Sequence, residues 1–427
     1  MSNQISSILS RRSFLCGVGA ASVAATTLPT FASVQGSAPR QPSRPAPGVD
    51  IPGAGLSGFS LPASDDDLVS IGMNENPLGP PQSALDAIAQ SAAIGNRYHG
   101  ELIQAAVNTA IDQYGMPRGS VGLFPGSTGA LTLALMSHIG PGKPLVYADP
   151  SYELAPSVAD MVGAPRFATK LTSTYAHDVK AMLAASPKAG AYFIVNPNNP
   201  TGTITPKQDI VWLLKNKPAG SVVILDEAYH HFSDAESCID LVAAGHDIIV
   251  THTFSKIYGM AGMRAGLVFA RPEYFQKFRG VAPYAPSLAS VSITTAAAVN
   301  AALLDSELVP LRRKINADTR SETIDFLTRR GYTVIPGSQA NFFMVDARRP
   351  GGDFQIAMAG ENVLIGRSWA AMPTYVRVSV GTRDEMAKFQ AAFVKCMDKP
   401  STTVNGAASQ RNPALIPSEL HRCQSFA

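Results

Sequence analysis

Along the middle of the chain, short unbroken apolar runs alternate with segments of helical spacing. The runs Pro144–Ala148, Ala191–Val195, Val222–Leu225, Ile248–Thr251 and Gly266–Ala270 are continuous rather than alternating. That is the pattern of strands buried on both faces. Between them, stretches such as Ala130–His138 and Lys207–Leu214 have the length and spacing of helices. The strand–helix–strand order predicts an α/β fold with a mostly parallel sheet. Ligands of such sheets gather beyond the carboxyl ends of the strands. Polar residues directly after each run are therefore where chemistry is expected.

The two ends break this pattern. Residues 10–15 read Ser-Arg-Arg-Ser-Phe-Leu, a small-residue apolar run follows from Cys16 to Leu28, and Thr30-Phe31-Ala32 supplies a cleavage point. A charged start, a short apolar run and small residues make an export signal, and the run is too short for a membrane span. The adjacent Arg11 and Arg12 give it the twin-arginine form. Residues 1–32 are thus expected to be a signal peptide for the twin-arginine export machinery, with the protein delivered to a bacterial periplasm. Residues 33–64, rich in Pro, Gly, Ser and Ala, are expected to be a flexible linker, and 399–427 a flexible tail. The folded unit is then 65–398.

Composition narrows the classes. The 427 residues are 45% hydrophobic and 16% charged, which is ample for a buried core and unlike a disordered chain. The net charge of +3, from 35 basic and 32 acidic groups without long runs, gives no reason to expect nucleic acid or an anionic membrane as partner. Removing the leader leaves Cys238, Cys396 and Cys423, too far apart for a disulfide framework or a CxxC metal site. No metal is expected.

Four motifs sit where strands end. Asn196-Pro-Asn-Asn-Pro-Thr-Gly202 follows Val195, and Asp226-Glu-Ala-Tyr229 follows Leu225. His252-Thr-Phe-Ser-Lys256 follows Thr251, with Arg264 eight positions beyond the lysine. Upstream, Gly126-Ser-Thr-Gly129 opens a helix. Singly, each has a plain reading as a tight turn, a helix cap or a solvated loop lysine. Their order and spacing carry more.

Together these motifs resemble the class I/II aminotransferases of pyridoxal-phosphate fold type I, and within them the histidinol-phosphate aminotransferase branch. The resemblance runs from Met73-Asn-Glu-Asn-Pro-Leu-Gly-Pro80 to Tyr375-Val-Arg-Val-Ser-Val-Gly-Thr382. It implies a large αβα domain at 97–300 that binds pyridoxal 5'-phosphate. A smaller α+β domain would combine 65–96 with 301–398. By the same resemblance Lys256 holds the cofactor aldehyde as a Schiff base and afterwards moves the α-proton. Asp226 keeps the pyridine nitrogen protonated, Tyr229 and Asn199 bond the ring oxygen, and Tyr152 stacks on the ring. Ser127, Thr128, Thr253, Ser255 and Arg264 hold the phosphate, helped by backbone N–H groups at a helix N-terminus. Tyr98 reaches the phosphate of a neighbouring subunit, which implies a homodimer with shared active sites. Arg377 grips the substrate carboxylate as a fork, and Asn76 and Arg367 border the substrate.

The pattern also departs from that branch. Leu78 stands where an aromatic often borders the substrate, His99 replaces the proline that usually follows Tyr98, and the residues around Arg367 differ. His230 and His231 have no derivable role beyond packing or surface. Histidine biosynthesis is cytoplasmic, whereas this chain carries an export signal. The activity expected is amino transfer between an amino acid, or related amine, and a 2-oxo acid. A carbon–sulfur lyase or decarboxylase on the same fold is the alternative, and a non-catalytic periplasmic binding protein a further one.

Overall fold

The computed structural model describes residues 68–283 and 291–398. The expected leader, linker and tail lie outside the described residues. A first short strand, β1 (Val69–Ile71), precedes the central sheet. The sheet itself takes β2 (Val121–Phe124), β3 (Leu145–Asp149), β4 (Arg166–Lys170), β5 (Ala191–Val195), β6 (Val222–Asp226), β7 (Ile248–Thr253) and β8 (Gly266–Phe269). Their spatial order is β2-β8-β7-β6-β5-β3-β4. Neighbours from β4 through β7 run parallel, and β8 runs antiparallel to both β7 and β2.

The continuous apolar runs mark the centre of this sheet, as expected. Every residue of β5, β6 and β7 is buried. Alternate residues of one strand feed different cores: Tyr192 and Ile194 join one, Phe193 and Val195 the other. Helices cover both faces, and each fully buried Phe, Ile or Leu stabilises the fold by roughly 1.5–3 kcal/mol. Two strands have no such run. In β2, Gly122 interrupts the pattern because a Cβ there would lie 2.9 Å from the Phe124 ring. The edge strand β4 reads Arg-Phe-Ala-Thr-Lys and is largely exposed, its charges discouraging a further strand from pairing.

A third core lies beyond the sheet. Here β9 (Phe342–Asp346) pairs antiparallel with β11 (Tyr375–Ser379), and β1 pairs parallel with β10 (Val363–Ile365). Val69, Phe343, Phe354, Phe389 and Phe393 fill it. The long helix Leu308–Arg329 bridges the cores, with Leu308 in the first and Leu327 in the third. Of the expected 65–96 segment, the described residues 68–96 divide between them. While β1 joins the third core, the helix Gln82–Ala92 packs on the helix Ile293–Leu304, beside the sheet. Among the described residues no helix is long and apolar enough to cross a membrane.

Candidate active site

The parallel strands all point their carboxyl ends at one rim, and a cavity of about 250 Å³ opens there. Eleven of the residues singled out from the sequence line it: Ser127, Thr128, Tyr152, Asn199, Asp226, Tyr229, Thr253, Ser255, Lys256, Arg264 and Arg377. Nearly two hundred and fifty residues separate the first from the last. The central sheet gathers most of them at its rim, and Arg377 reaches the cavity from β11 in a separate two-stranded sheet.

Asp226 is the last residue of β6 and is 3% exposed. Its Oδ1 accepts from Thr251 Oγ1 at 3.0 Å and from the Ala228 N–H at 3.2 Å. Burial raises its pKa to about 6, against those two hydrogen bonds and the Lys256 charge. Lys256 follows β7, and its Nζ donates to the Met73 carbonyl at 3.2 Å. Burial lowers its pKa to about 8, aided by the charges of Arg377 and Arg264 and opposed by the carboxylates of Glu75 and Asp226. The amine is thereby brought close to half neutral near pH 8, as a proton carrier requires. Tyr229 accepts from Asn74 Nδ2 at 3.0 Å, so its own hydroxyl proton stays available to the cavity.

Arg377 lies mid-strand in β11 and is 3% exposed. Nη1 donates to Asn199 Oδ1 at 2.7 Å and Nη2 to the Gly72 carbonyl at 2.8 Å. Its Nε is buried without a partner, and no carboxylate faces the guanidinium among the described residues. Burial lowers its pKa to about 10, which leaves it charged at neutral pH. A buried cation without an anion is costly unless a ligand supplies one.

The phosphate end has its own construction. The helix Ser127–Met136 begins after Gly126, whose φ of +85° few other residues tolerate. A Cβ on Gly126 would stand 2.6 Å from Arg264 Nη2, so the backbone turn and the guanidinium share one tight cradle. Arg264 Nη1 donates to Ser255 Oγ at 3.4 Å and to the Ala261 carbonyl at 2.8 Å. The Thr253 hydroxyl is occupied more locally, accepting from the Ser255 N–H at 3.1 Å.

Three expected residues lie elsewhere. The Asn76 side chain donates to the Ile257 carbonyl at 3.0 Å and lines a separate cavity. Arg367 forms a two-point ion pair with Glu153 at 2.6 and 2.8 Å and stacks over Trp369. Tyr98 is 85% exposed, away from this cavity. Conversely, Asn74, Ser379 and Thr251 were not anticipated. Ser379 Oγ donates to Asn74 Oδ1 at 2.8 Å and so braces the Asn74–Tyr229 bond. Its position two residues after Arg377, on the same face of β11, was the signal available. His230 and His231 pack against His252, whose Nε2 lies 2.8 Å from Glu227 Oε2, behind the cavity.

The donor set fits pyridoxal phosphate. Lys256 would take its aldehyde, Asp226 its pyridine nitrogen and Tyr152 its ring face. Tyr229 and Asn199 would meet the ring oxygen. The Gly126 turn, Ser127, Thr128, Ser255 and Arg264 would hold its phosphate.

Comparison with known proteins places this constellation in a family. Residues 66–393 match the family model for aminotransferase class I and II. Histidinol-phosphate aminotransferase 1 of Cupriavidus pinatubonensis is 33% identical over 342 residues, 77% of this chain and 88% of that protein. An aromatic amino acid aminotransferase of Cutibacterium acnes is 30% identical, covering 73% of this chain and 88% of its own. The fold matches that of the Sinorhizobium meliloti histidinol-phosphate aminotransferase solved with pyridoxal-5'-phosphate. There the TM-score is 0.71 at 24% identity, over 77% of this chain and 90% of that one. The chain belongs to the class I and II aminotransferases, enzymes that transfer amino groups with pyridoxal phosphate as cofactor.

Proposed function

We propose that this aminotransferase acts on α-amino acids rather than on a phosphorylated amino alcohol, and does so after export. The observation that carries the substrate reading is Arg377, a buried guanidinium with two fixed contacts and no anion among the described residues. One planar fork suits one carboxylate. A phosphate monoester would call for a second cation, and Arg367, the arginine expected from the sequence to border the substrate, is already paired with Glu153.

The residues divide the work as follows. Bound pyridoxal phosphate supplies an electron sink for the pair left when the α-proton departs. Arg377 binds the donor carboxylate and so orients Cα towards Lys256. The Lys256 amine, half neutral near pH 8, takes the proton from Cα and returns it on the other side of the reaction. Asp226, held by Thr251 and Ala228, would supply the negative charge that keeps the ring nitrogen protonated. Tyr229, whose oxygen accepts from Asn74, would donate its hydroxyl proton to the ring oxygen. The same residues then process a 2-oxo acid in the reverse sense.

The leader at 1–32 supports export by the twin-arginine route to the periplasm. That route carries folded proteins, so a cofactor made inside the cell could leave with the enzyme. The exposed Tyr98 supports a homodimer in which this side chain completes a neighbour's phosphate site. The cores on either side of Leu308–Arg329 support a two-domain arrangement with the cavity between them. Steady-state kinetics with histidinol phosphate and with a panel of α-amino acids test the substrate reading. At least one amino acid should exceed histidinol phosphate in kcat/KM by about 100-fold, and the reverse ranking would overturn it.

A further inference from the structure

The stretch around Arg367 departs from the family pattern, and the proposed reaction leaves Arg367, Glu153 and Trp369 without a role. Trp369 is 3% exposed and sits with Ile335 and Met344 in a small core of its own. Met344 stands opposite Arg377 across the β9–β11 ladder, so this core lies against the middle of the strand that carries the fork. The indole N–H is buried without an acceptor among the described residues, so a hydrogen bond does not account for a tryptophan here. Its ring is what its neighbours use. Two guanidiniums lie over it, Arg377 at 5.4 Å from the centroid and Arg367 at 4.3 Å.

Arg377 needs such a neighbour. Its guanidinium is buried, and its two fixed partners, Asn199 Oδ1 and the Gly72 carbonyl, are both neutral. In the empty site the charge must be kept by groups that attract a cation without occupying the edge that a carboxylate will use. The face of an aromatic ring does this, because its quadrupole draws the cation and leaves the in-plane N–H groups free. Phe342 supplies another ring at 5.7 Å. Burial lowers the Arg377 pKa, and the charge of Arg367 adds to that effect. Glu153 offsets the Arg367 charge through its two-point pair and holds that guanidinium over the indole.

The backbone around Trp369 is tied to the residue that its ring supports. The Arg367 carbonyl accepts from the Arg377 N–H at 3.2 Å, and the Gly366 N–H donates to the Arg377 carbonyl at 2.8 Å. The Met372 N–H donates to the Trp369 carbonyl at 2.8 Å and closes the turn beyond it. On the other side, Glu153 directly follows Tyr152, which lines the cofactor cavity. The ion pair therefore joins the cavity wall built on the central sheet to the segment that leads into β11. We infer that Trp369 is a positioning residue for Arg377: the indole, pinned by the Arg367–Glu153 pair, holds the guanidinium in place while the site is empty, so that the fork meets a substrate carboxylate already oriented. Arg367 thereby acts through the ring and not on the substrate.

This inference rests on the reading of Arg377 as the carboxylate fork. The experiment mixes holoenzyme with leucine, phenylalanine, lysine or glutamate, and in parallel with the amine that lacks the α-carboxylate of each. The change in the visible band of the lysine-bound cofactor gives a second-order rate constant for every compound. The quantity compared is the ratio of amino acid to amine, in wild type, Trp369→Leu, Trp369→Phe and Arg367→Gln. Trp369→Leu should lower the ratio about tenfold, the value of one desolvated contact between a cation and a ring. Trp369→Phe keeps a ring and should recover most of that loss. Arg367→Gln, at a partly exposed position, should lower the ratio in the same sense by about threefold, and it decides alone should neither Trp369 variant fold. Equal losses on amino acids and amines would overturn the inference, since the ring would then only fill space. So would a Trp369→Phe as poor as Trp369→Leu, or a ratio unchanged in Arg367→Gln. A wild type that does not favour the amino acids over their amines would remove the Arg377 reading and the inference with it.

Discussion

Replacing Asp226 by Asn should make the cofactor-free protein more stable while disabling it. The carboxylate is buried, and its pKa rises from 3.8 to about 6. A carboxyl group with a raised folded-state pKa binds its proton more tightly when folded, so stability falls as pH rises from the unfolded value through the folded one. The penalty is absent below about pH 4 and complete above about pH 7. The interval from 3.8 to about 6 corresponds to about 3 kcal/mol. Asn keeps the acceptor for Thr251 Oγ1 and the Ala228 N–H, so those bonds survive the change. Urea denaturation of cofactor-free wild type and Asp226→Asn at pH 4 and pH 8 measures the effect. The variant should gain up to about 3 kcal/mol at pH 8 and little at pH 4. Its amino-transfer rate should fall at least about 100-fold, as expected when a preorganised charge is removed. A stability gain equal at both pH values, or none at pH 8, would refute the assignment of this strain to the carboxylate.

Two further outcomes follow from the same geometry. Capture of pyridoxal phosphate by the cofactor-free protein depends on neutral Lys256, so its rate should rise through pH 8 and level off above about pH 9; a continued rise to the ordinary lysine value of 10.5 would contradict the lowered pKa. Arg377→Lys loses the fork and strands Asn199 Oδ1 or the Gly72 carbonyl. It should cost about 100-fold in kcat/KM for carboxylate-bearing donors, the value of one or two charged hydrogen bonds, and much less for simple amines, as read by steady-state kinetics.

Much of the fold was legible because its strands are buried on both faces. Ala191–Val195 emerges with the predicted bounds, and Val222–Asp226 and Ile248–Thr253 extend past the apolar run by polar residues that reach into the site. The helix predicted from the spacing of Ala130–His138 begins at Ser127, within the Gly126–Gly129 segment expected to open it, because Gly126 turns the chain there. Strand β4 was invisible because an exposed edge needs no apolar pattern. The site divides in the same manner. Residues on strand ends and in tight turns, such as Asp226, Asn199 and Lys256, are marked by local motifs. Partnerships across the chain are not. Arg367 and Glu153 are 214 positions apart, and nothing near either one announces that they pair. Within Met73–Pro80 the motif drew attention to Asn76, yet the left-handed turn at Asn74 gives that residue the contacts with the site.

The central claim is that this cavity moves an amino group with Lys256 as the covalent anchor and proton carrier. The visible absorption spectrum of the purified holoenzyme, titrated first with α-amino acids and then with 2-oxo acids, tests it most directly. The account predicts a band from the lysine-bound cofactor that is lost on adding a productive donor and restored by a 2-oxo acid, with Lys256→Ala showing no such cycle. A band that persists while pyruvate and ammonia accumulate, or a full cycle in Lys256→Ala, would contradict it.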